Sequence, residues 1–118
     1  MTTRTRALEI TADRVRAYSR RGNYHSDASA AEELGLGGLL VQGVQVAGPA
    51  YGELLDEWGD DFLRHGELDL RFLSPVYAET TVEATVTVDG DAAELRVAAP
   101  GATRDAVVGT ARRAHVTP

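Results

Sequence analysis

The sequence predicts an α+β fold in which an antiparallel sheet wraps around one central helix. The longest helical candidate, Gly43 to Trp58, has small residues through its first half, and these let a helix backbone lie close to a sheet. From residue 67 onward the chain alternates apolar and polar residues between turn signals, which is typical of strands that bury one face. At 118 residues the chain has the length of one domain, so we expect a single domain over 1–118.

The N-terminal third is expected to hold short elements. Its predicted elements are a strand Ala7–Ile10, a helix Ala12–Ser19, a loop from Arg20 and a second helix that ends at Leu34. Thr11 is the candidate N-cap of the first helix, because a short polar side chain there accepts a hydrogen bond from a first-turn N–H group. Asp27 is the candidate N-cap of the second helix, with a capping box at Ser29 as the alternative start, and Gly35 ends it.

The rest of the chain is predicted to form strands. Gly59, Asp60 and Asp61 are expected to end the central helix as a loop. The predicted strands are Glu67–Phe72, Thr81–Val88, Ala92–Ala99 and Asp105–His115, and the second of them places Val82, Ala84, Val86 and Val88 on one face. The Asp89-Gly90 pair is a hairpin signal. We expect these strands to follow one another as an antiparallel meander.

The composition limits the types of reaction and of binding partner that this chain can have. The net charge of −6 disfavours nucleic acid as a partner. The chain contains no cysteine and no lysine, which excludes disulfides, thiolate nucleophiles and lysine Schiff bases. His65 and His115 lack neighbours at metal-ligand spacing, so we expect no metal and no cofactor. No run approaches the ~20 apolar residues of a membrane helix and no signal peptide is evident, so we expect a cytoplasmic protein with no membrane partner.

Several short motifs occur together in the order of one known family. His25-Ser26-Asp27 matches an H-x-D loop, and Gln42-Gly43 falls where a His-Gly pair opens a central helix. Phe72 to Val76 matches an F-x-x-P-V motif on a later strand. Over about residues 10–88 the pattern resembles the MaoC-like hydratase/dehydratase family. The resemblance implies the hot-dog fold, in which the sheet wraps around the central helix.

The chain departs from the family pattern at its catalytic positions. The family loop has the form D-x-N-P-x-H-x-D, and counting back from His25 without a gap places the catalytic Asp on Arg20 and the Pro on Asn23. A one-residue deletion moves Asn23 to the Asn position but puts Arg21 at the Asp position. Neither alignment supplies the acid. Gln42 also replaces the His of the His-Gly pair.

The resemblance implies enolate chemistry on a 3-hydroxyacyl thioester or its 2-enoyl product. Such chemistry needs an acid–base group and hydrogen-bond donors for the enolate oxygen. His25 is the candidate acid and base, since an imidazole titrates near neutral pH. Gly43 is the candidate oxyanion donor, because a backbone N–H at a helix start has no intrahelical partner. The alternative for Gly43 is that it only permits close packing, and Asp27 is interpreted as a helix cap.

Four further residues are candidate substrate contacts. Asn23 and Gln42 carry amides that can hydrogen-bond to a hydroxyl or carbonyl group, or that can instead order the loop. Arg20 cannot act as a base because a guanidinium stays protonated, but it can bind a carboxylate or a phosphopantetheine phosphate. The alternative for Arg20 is a solvated helix end. Tyr24 is either a substrate contact or a core or interface residue.

We therefore expect a dehydratase or hydratase that acts on a β-hydroxy or α,β-unsaturated carbonyl, as an acyl thioester of coenzyme A or a carrier protein, in a homodimer. Isomerisation or cyclisation through the same enolate is related chemistry, and the lost acid favours a specialised biosynthetic pathway. The missing Asp motivates a second hypothesis, a catalytically degenerate subunit or ligand-binding protein that supports a partner. A hot-dog thioesterase ranks third, because its water needs a nearby carboxylate and the loop offers Asp27 or more distant glutamates.

Overall fold

The computed structural model describes residues 1–17 and 39–113, and it confirms an α+β fold with one long helix. Its elements are β1 Thr2–Ile10, α1 Ala12–Ala17, α2 Gly43–Trp58, α3 Asp60–His65, β2 Glu67–Phe72, β3 Thr80–Asp89, β4 Ala92–Ala98 and β5 Val107–Arg112. The predicted helix ending at Leu34, and the part of the last predicted strand beyond Arg113, lie outside the described residues. Within the described ranges, no helix is both long and apolar enough to cross a membrane.

The five strands form one antiparallel sheet in the order β1-β3-β4-β5-β2. The predicted meander is correct for β3, β4 and β5 but wrong for β2, which lies at the far edge and pairs with β5. The cause is that β3 already has two neighbours: Thr2 to Ile10 pair with Val88 to Thr80 on one side, and β4 pairs on the other. β2 instead pairs with the free edge of β5.

A short helix that the sequence did not predict follows the central helix. Gly59 ends α2 with a φ of 61°, and the chain enters α3 where a loop was expected. Phe62 on α3 is 4% exposed, and its ring centroid lies 5.6 Å from that of Trp58 and 5.6 Å from that of Tyr51. Burial of this aromatic ring stabilises a helix that is too short to form from propensity alone.

The core lies between α2 and the inner face of the sheet, chiefly on β1, β3 and β4. The predicted inward row of β3 is confirmed, since Val82, Ala84 and Val86 are fully buried and Val88 is nearly so. Leu54 of α2 is also fully buried against this face. The predicted bounds of the central helix, Gly43 to Trp58, are the observed ones. Packing of this helix on the sheet therefore sets the position of its first turn, which begins at Gly43.

Ion pairs hold the second half of α2 to β1. Both oxygens of the Glu53 carboxylate are used: Arg4 Nε donates to one at 2.6 Å and Arg6 Nε donates to the other at 2.8 Å. Glu53 is 6% exposed, and its pKa is lowered, chiefly by the hydrogen bond from Arg4 and further by that from Arg6. Because these inward positions of β1 are charged, apolar alternation predicted a strand from Ala7, whereas β1 begins at Thr2.

Candidate active site at the start of the central helix

The first turn of α2 presents backbone donors. Its N-cap, Gln42, is extended, with φ −62° and ψ 138°, and makes no side-chain cap hydrogen bond. The Gln42 carbonyl accepts the N–H groups of Gln45 at 3.0 Å and Val46 at 3.3 Å. The N–H groups of Gly43 and Val44 lie in the first turn, where a helix offers them no acceptor of its own. A helix of 16 residues also directs the positive end of its dipole here, which favours a developing negative charge.

A cleft of about 580 Å³ opens beside this turn. Its described lining is mostly apolar and joins the start of α2 to the chain after β2: Leu40, Val41, Gln42, Gly43, Val44, Val46, Phe72, Leu73, Ser74, Pro75, Val76 and Val107. Gln42 and Ser74 have the polar side chains in that set. None of these described residues carries an acid–base side chain, so the described wall offers hydrogen bonding and apolar contact.

Gly43 lies under the ring of Phe72. A Cβ atom at residue 43 would come 2.7 Å from Phe72 Cε1, closer than real contacts allow. Glycine therefore permits this close approach, and a side chain at residue 43 would make the half-exposed Phe72 ring move. The close packing is compatible with a donor role for the Gly43 N–H. The structure brings together two motifs that lie about thirty residues apart, the Gln42-Gly43 pair and the Phe72 to Val76 segment.

The segment after β2 also anchors the chain that enters α2. Val41 N–H donates to the Val76 carbonyl at 2.8 Å, and Ala78 N–H donates to the Leu39 carbonyl at 2.9 Å. Leu40 pairs with Tyr77 as an isolated antiparallel bridge. These bonds fix the position at which the chain leaves residues 18–38, which carry most of the predicted site residues.

Two side chains cap the start of α1, one adjacent in sequence and one distant. The predicted N-cap is confirmed, since Arg14 N–H donates to Thr11 Oγ1 at 3.2 Å. In addition, Ala12 N–H donates to Glu79 Oε1 at 2.7 Å. Glu79 adopts a φ of 66°, which is rare for a residue with a side chain, and its own N–H donates to the Ile10 carbonyl at 2.7 Å. This carboxylate at the start of α1 also suits the helix dipole.

Two glutamine amides join the last carbonyl groups of α1 to the first turn of α2. Gln42 Nε2 donates to the Val15 carbonyl at 2.9 Å. Gln45 Nε2 donates to Gln42 Oε1 at 2.5 Å and to the Arg14 carbonyl at 3.4 Å. Gln45 is 8% exposed, and its Oε1 has no hydrogen-bond partner among the residues that the structure describes. The two amides therefore form one bridge between the helices.

The structure describes two of the predicted site residues. Gly43 and Gln42 lie at the start of α2 on the cleft. The roles of both stay predictions, and the amide nitrogen of Gln42 is engaged by α1. The other four, His25, Asn23, Tyr24 and Arg20, lie outside the described residues.

Four residues that shape this site were not singled out from the sequence. They are Gln45, Glu79, Phe72 and Ser74. Gln45 follows Gln42 by three positions at a helix start, a spacing at which side chains meet, so this pair was detectable from sequence. Phe72 and Ser74 lie in the recognised F-x-x-P-V segment. Glu79 gave no such signal, because its contact with Ala12 spans 67 positions.

A second concavity, of about 570 Å³, lies on the outer face of the sheet. Its lining includes Asp69, Arg71, Glu94 and Arg96, which alternate with the inward residues of their strands. It therefore faces away from α2. In the described part of the chain, no group of three or more His, Asp or Glu side chains is placed to hold a metal ion.

The chain is similar to known proteins in sequence and in structure. The MaoC like domain family matches residues 2–108 in sequence, whereas no curated protein matches the chain. An (R)-hydratase from A. caviae involved in PHA biosynthesis is similar in structure, with a TM-score of 0.72 at 21% identity, over 93% of this chain and 91% of that one. The R-hydratase PhaJ1 from Pseudomonas aeruginosa has a TM-score of 0.76 at 15% identity, over 96% and 79%.

A complex is also among the similar structures. The chain of HadBC, a 3R-hydroxyacyl-ACP dehydratase complex from Mycobacterium tuberculosis, has a TM-score of 0.65 at 16% identity, over 90% of this chain and 88% of that one. At these identities the likeness establishes the hot-dog fold, and the sequence match covers nearly the whole chain. The chain therefore belongs to the MaoC-like dehydratase family.

Proposed function

We propose that this protein is a hydro-lyase that interconverts a 3-hydroxyacyl thioester and its 2-enoyl product at the start of α2. The observation that carries the proposal is the pair of first-turn N–H groups, at Gly43 and Val44, beside an apolar cleft of about 580 Å³. Donors of this kind stabilise an enolate oxygen, and each is worth roughly 10²–10³-fold in rate. The apolar wall suits an acyl chain.

The proposed reaction uses one acid–base group. In dehydration, His25 removes the proton from the carbon next to the thioester carbonyl, and the electron pair forms the enolate, whose oxygen accepts the Gly43 N–H. The pair then forms the carbon–carbon double bond as the C3–O bond breaks. His25 returns its proton to the departing hydroxyl, so that water leaves. Hydration is the reverse sequence.

The substrate class is proposed from three sources of support. The family match and the printed activities of the similar hydratases and dehydratase favour an acyl thioester. The cleft wall provides apolar contact for its chain. We propose Asn23 and Tyr24 as substrate contacts, and Arg20 as the residue that binds a phosphate of coenzyme A or of a carrier protein. A cytoplasmic location and a specialised biosynthetic pathway complete the proposal.

We propose a homodimer as the working form. Near the cleft, α2 and the end of β2 leave apolar side chains exposed, with Val44 at 74%, Phe72 at 56% and the following Leu73 at 38%. Leu68, on the same edge strand as Phe72, is 36% exposed. Adjacent apolar groups of this size favour association, and the similar HadBC structure is a complex. Sedimentation at micromolar concentration should give twice the monomer mass.

The decisive experiment follows hydration of 2-enoyl-coenzyme A thioesters of increasing chain length by their ultraviolet absorbance. The protein should turn over at least one of them, and His25→Ala should lower kcat at least ~10²-fold. His65→Ala is the matched control, because His65 lies on the surface of α3 and should leave kcat unchanged. A fully active His25→Ala protein would exclude the single-base mechanism.

A second candidate function is a degenerate subunit that binds a ligand or supports an active partner. The described wall of the cleft favours it, because that wall has no acid–base side chain. Failure of the pure protein on every 2-enoyl and 3-hydroxyacyl thioester, with saturable binding of the same compounds, would support this reading. Release of free coenzyme A thiol in the same assays would instead indicate the third reading, a thioesterase.

A further inference from the structure

The bridge between α1 and α2 contains an arrangement that stability alone does not explain. The orientation of both amides is fixed by chemistry: Gln42 must turn its nitrogen toward the Val15 carbonyl, which can only accept. Its oxygen then faces Gln45, whose nitrogen must donate to it and to the Arg14 carbonyl. The remaining atom, Gln45 Oε1, is thereby left as a buried acceptor without a donor among the described residues.

A buried acceptor without a donor destabilises the folded state. An unbranched apolar side chain of the same length at residue 45 would remove that cost, but it would also remove the hydrogen bonds that Gln45 donates to Gln42 Oε1 and to the Arg14 carbonyl. The two effects on the free energy of folding oppose each other. Local violations of this kind are expected where a structure serves function.

The bridge determines where α1 ends relative to the first turn of α2. The carbonyl groups of Arg14 and Val15 belong to the last described turn of α1. Gln42 and Gln45 supply donors for both from the start of α2. Glu79 holds the other end of α1 through the N–H of Ala12. A helix of six residues is thus fixed at both ends by side chains from outside it.

We propose that Gln42 and Gln45 are positioning residues that fix the end of α1, and so the start of the segment carrying His25, relative to the Gly43 N–H. This inference rests on the proposed function, because it assigns the bridge a role in bringing acid–base group and oxyanion donor to one substrate. Neither glutamine need touch the substrate for this. The two amides are connected in series, because Gln45 donates to Gln42 and Gln42 donates to the Val15 carbonyl.

The test compares Gln42→Met, Gln45→Met and the double variant in the hydration assay. Each single variant should lower kcat at least tenfold and change KM less than threefold, because the lost contacts are to α1. The double variant should be no slower than the slower single variant, since the two amides act as one unit. Additive losses, or an unchanged kcat, would overturn the proposal.

Stability must be measured on the same proteins. Gln45→Met should unfold close to the urea midpoint of the parent, because it loses two hydrogen bonds together with the unpaired acceptor. Val97→Ala, a fully buried change on β4, is the control that lowers stability without touching the bridge, and its kcat should match the parent where it is folded. A loss of kcat in Gln45→Met that only follows lost stability would overturn the proposal. Gln45→Leu, which also removes the donor and adds no charge, gives the same test if the Met variant fails to fold.

Hydrogen exchange of the peptide covering residues 12–17 separates this proposal from the proposed function. Both Met variants should speed its exchange at least threefold, while β4 exchanges as in the parent. Unchanged exchange in variants of an active parent would overturn the bridge and leave the hydro-lyase standing. A parent that hydrates no enoyl thioester would overturn the proposed function and the catalytic part of this inference, whatever the exchange shows.

Discussion

The two ends of the central helix differ in how completely their polar groups are satisfied. At the far end, the Glu53 carboxylate receives a hydrogen bond on each oxygen, from Arg4 and from Arg6. At the near end, first-turn N–H groups open onto a cleft and the buried Gln45 Oε1 has no described donor. The far end holds the helix to the sheet, whereas the near end keeps groups available. Under the proposed function, the two ends of one helix would serve stability and chemistry separately.

The largest effect is expected from removing the Gly43 N–H. Gly43→Pro deletes this donor in a position that suits proline, because the first helical residue needs no intrahelical N–H bond and Gln42 is already extended. Gly43→Ala is the matched control, since it adds a similar Cβ against Phe72 and keeps the N–H. The proline variant should be slower in kcat than the alanine variant by roughly 10²-fold. Equal rates in the enoyl hydration assay would refute the donor role.

The second prediction tests the far end of α2. Glu53→Gln leaves two arginines facing a neutral amide and should lower the free energy of unfolding by about 1–3 kcal/mol. Glu57→Gln is the control, because that carboxylate pairs with Arg4 at a more exposed site and should cost about 0–1 kcal/mol. Urea denaturation measures both. Activity of each folded variant should equal that of the parent, and a loss of kcat in either one would contradict the division between the two ends.

Acid should weaken the far end selectively. The arginines lower the pKa of Glu53 from its ordinary value of 4.5, chiefly through the hydrogen bond from Arg4. A carboxylate with a lowered folded pKa contributes stability above its unfolded pKa, and that contribution is lost as the pH falls through the folded value. The stability difference between the parent and Glu53→Gln should be constant above pH 4.5 and shrink below it. Urea midpoints from pH 7 to pH 3 measure it, and a difference that grows on acidification would have the wrong sign.

The smallest effect is expected at Gly52. A Cβ there would run into the end of the Arg6 side chain, which is flexible and can move away at the loss of its bond to Glu53. Alanine also raises helix propensity by about 1 kcal/mol over glycine, so Gly52→Ala should change the free energy of unfolding by less than about 1 kcal/mol. A loss of several kcal/mol would mean that Arg6 cannot rearrange. In the Glu53→Gln background the ion pair with Arg6 is already lost, so Gly52→Ala should be more favourable there than in the parent.

Hydrophobic periodicity predicted the parts of the fold that burial decides. The bounds of α2 and of β2 coincide with their predicted bounds, because β2 alternates in sequence from end to end and Gly59 marks the end of α2. Strand order was not predictable in the same way, since alternation tells which face is buried but not which strand is adjacent. The first half of β1 was missed for a related reason, because Arg4 and Arg6 occupy inward positions where apolar residues were sought.

The candidate site was predictable where a motif carried it. Gln42 and Gly43 were identified from the family pattern, and the structure places both on the cleft. Gln45 was missed because a polar residue inside a helix ordinarily faces water, and its burial depends on α1, far away in the sequence. Glu79 was missed because its role requires a left-handed backbone conformation, which the local sequence does not predict. Contacts between distant segments were the part that the sequence left open.

The strand order has a consequence for how the protein is made. Both outer strands, β1 and β2, come from the first 72 residues, whereas the three strands between them lie in residues 80–112. A chain synthesised from its N-terminus therefore exposes two unpaired strands, and Thr2 can pair only after Val88 has been made. Pairings of such long sequence separation form slowly. The sheet can close over the central helix only after residues 80–112 have been synthesised.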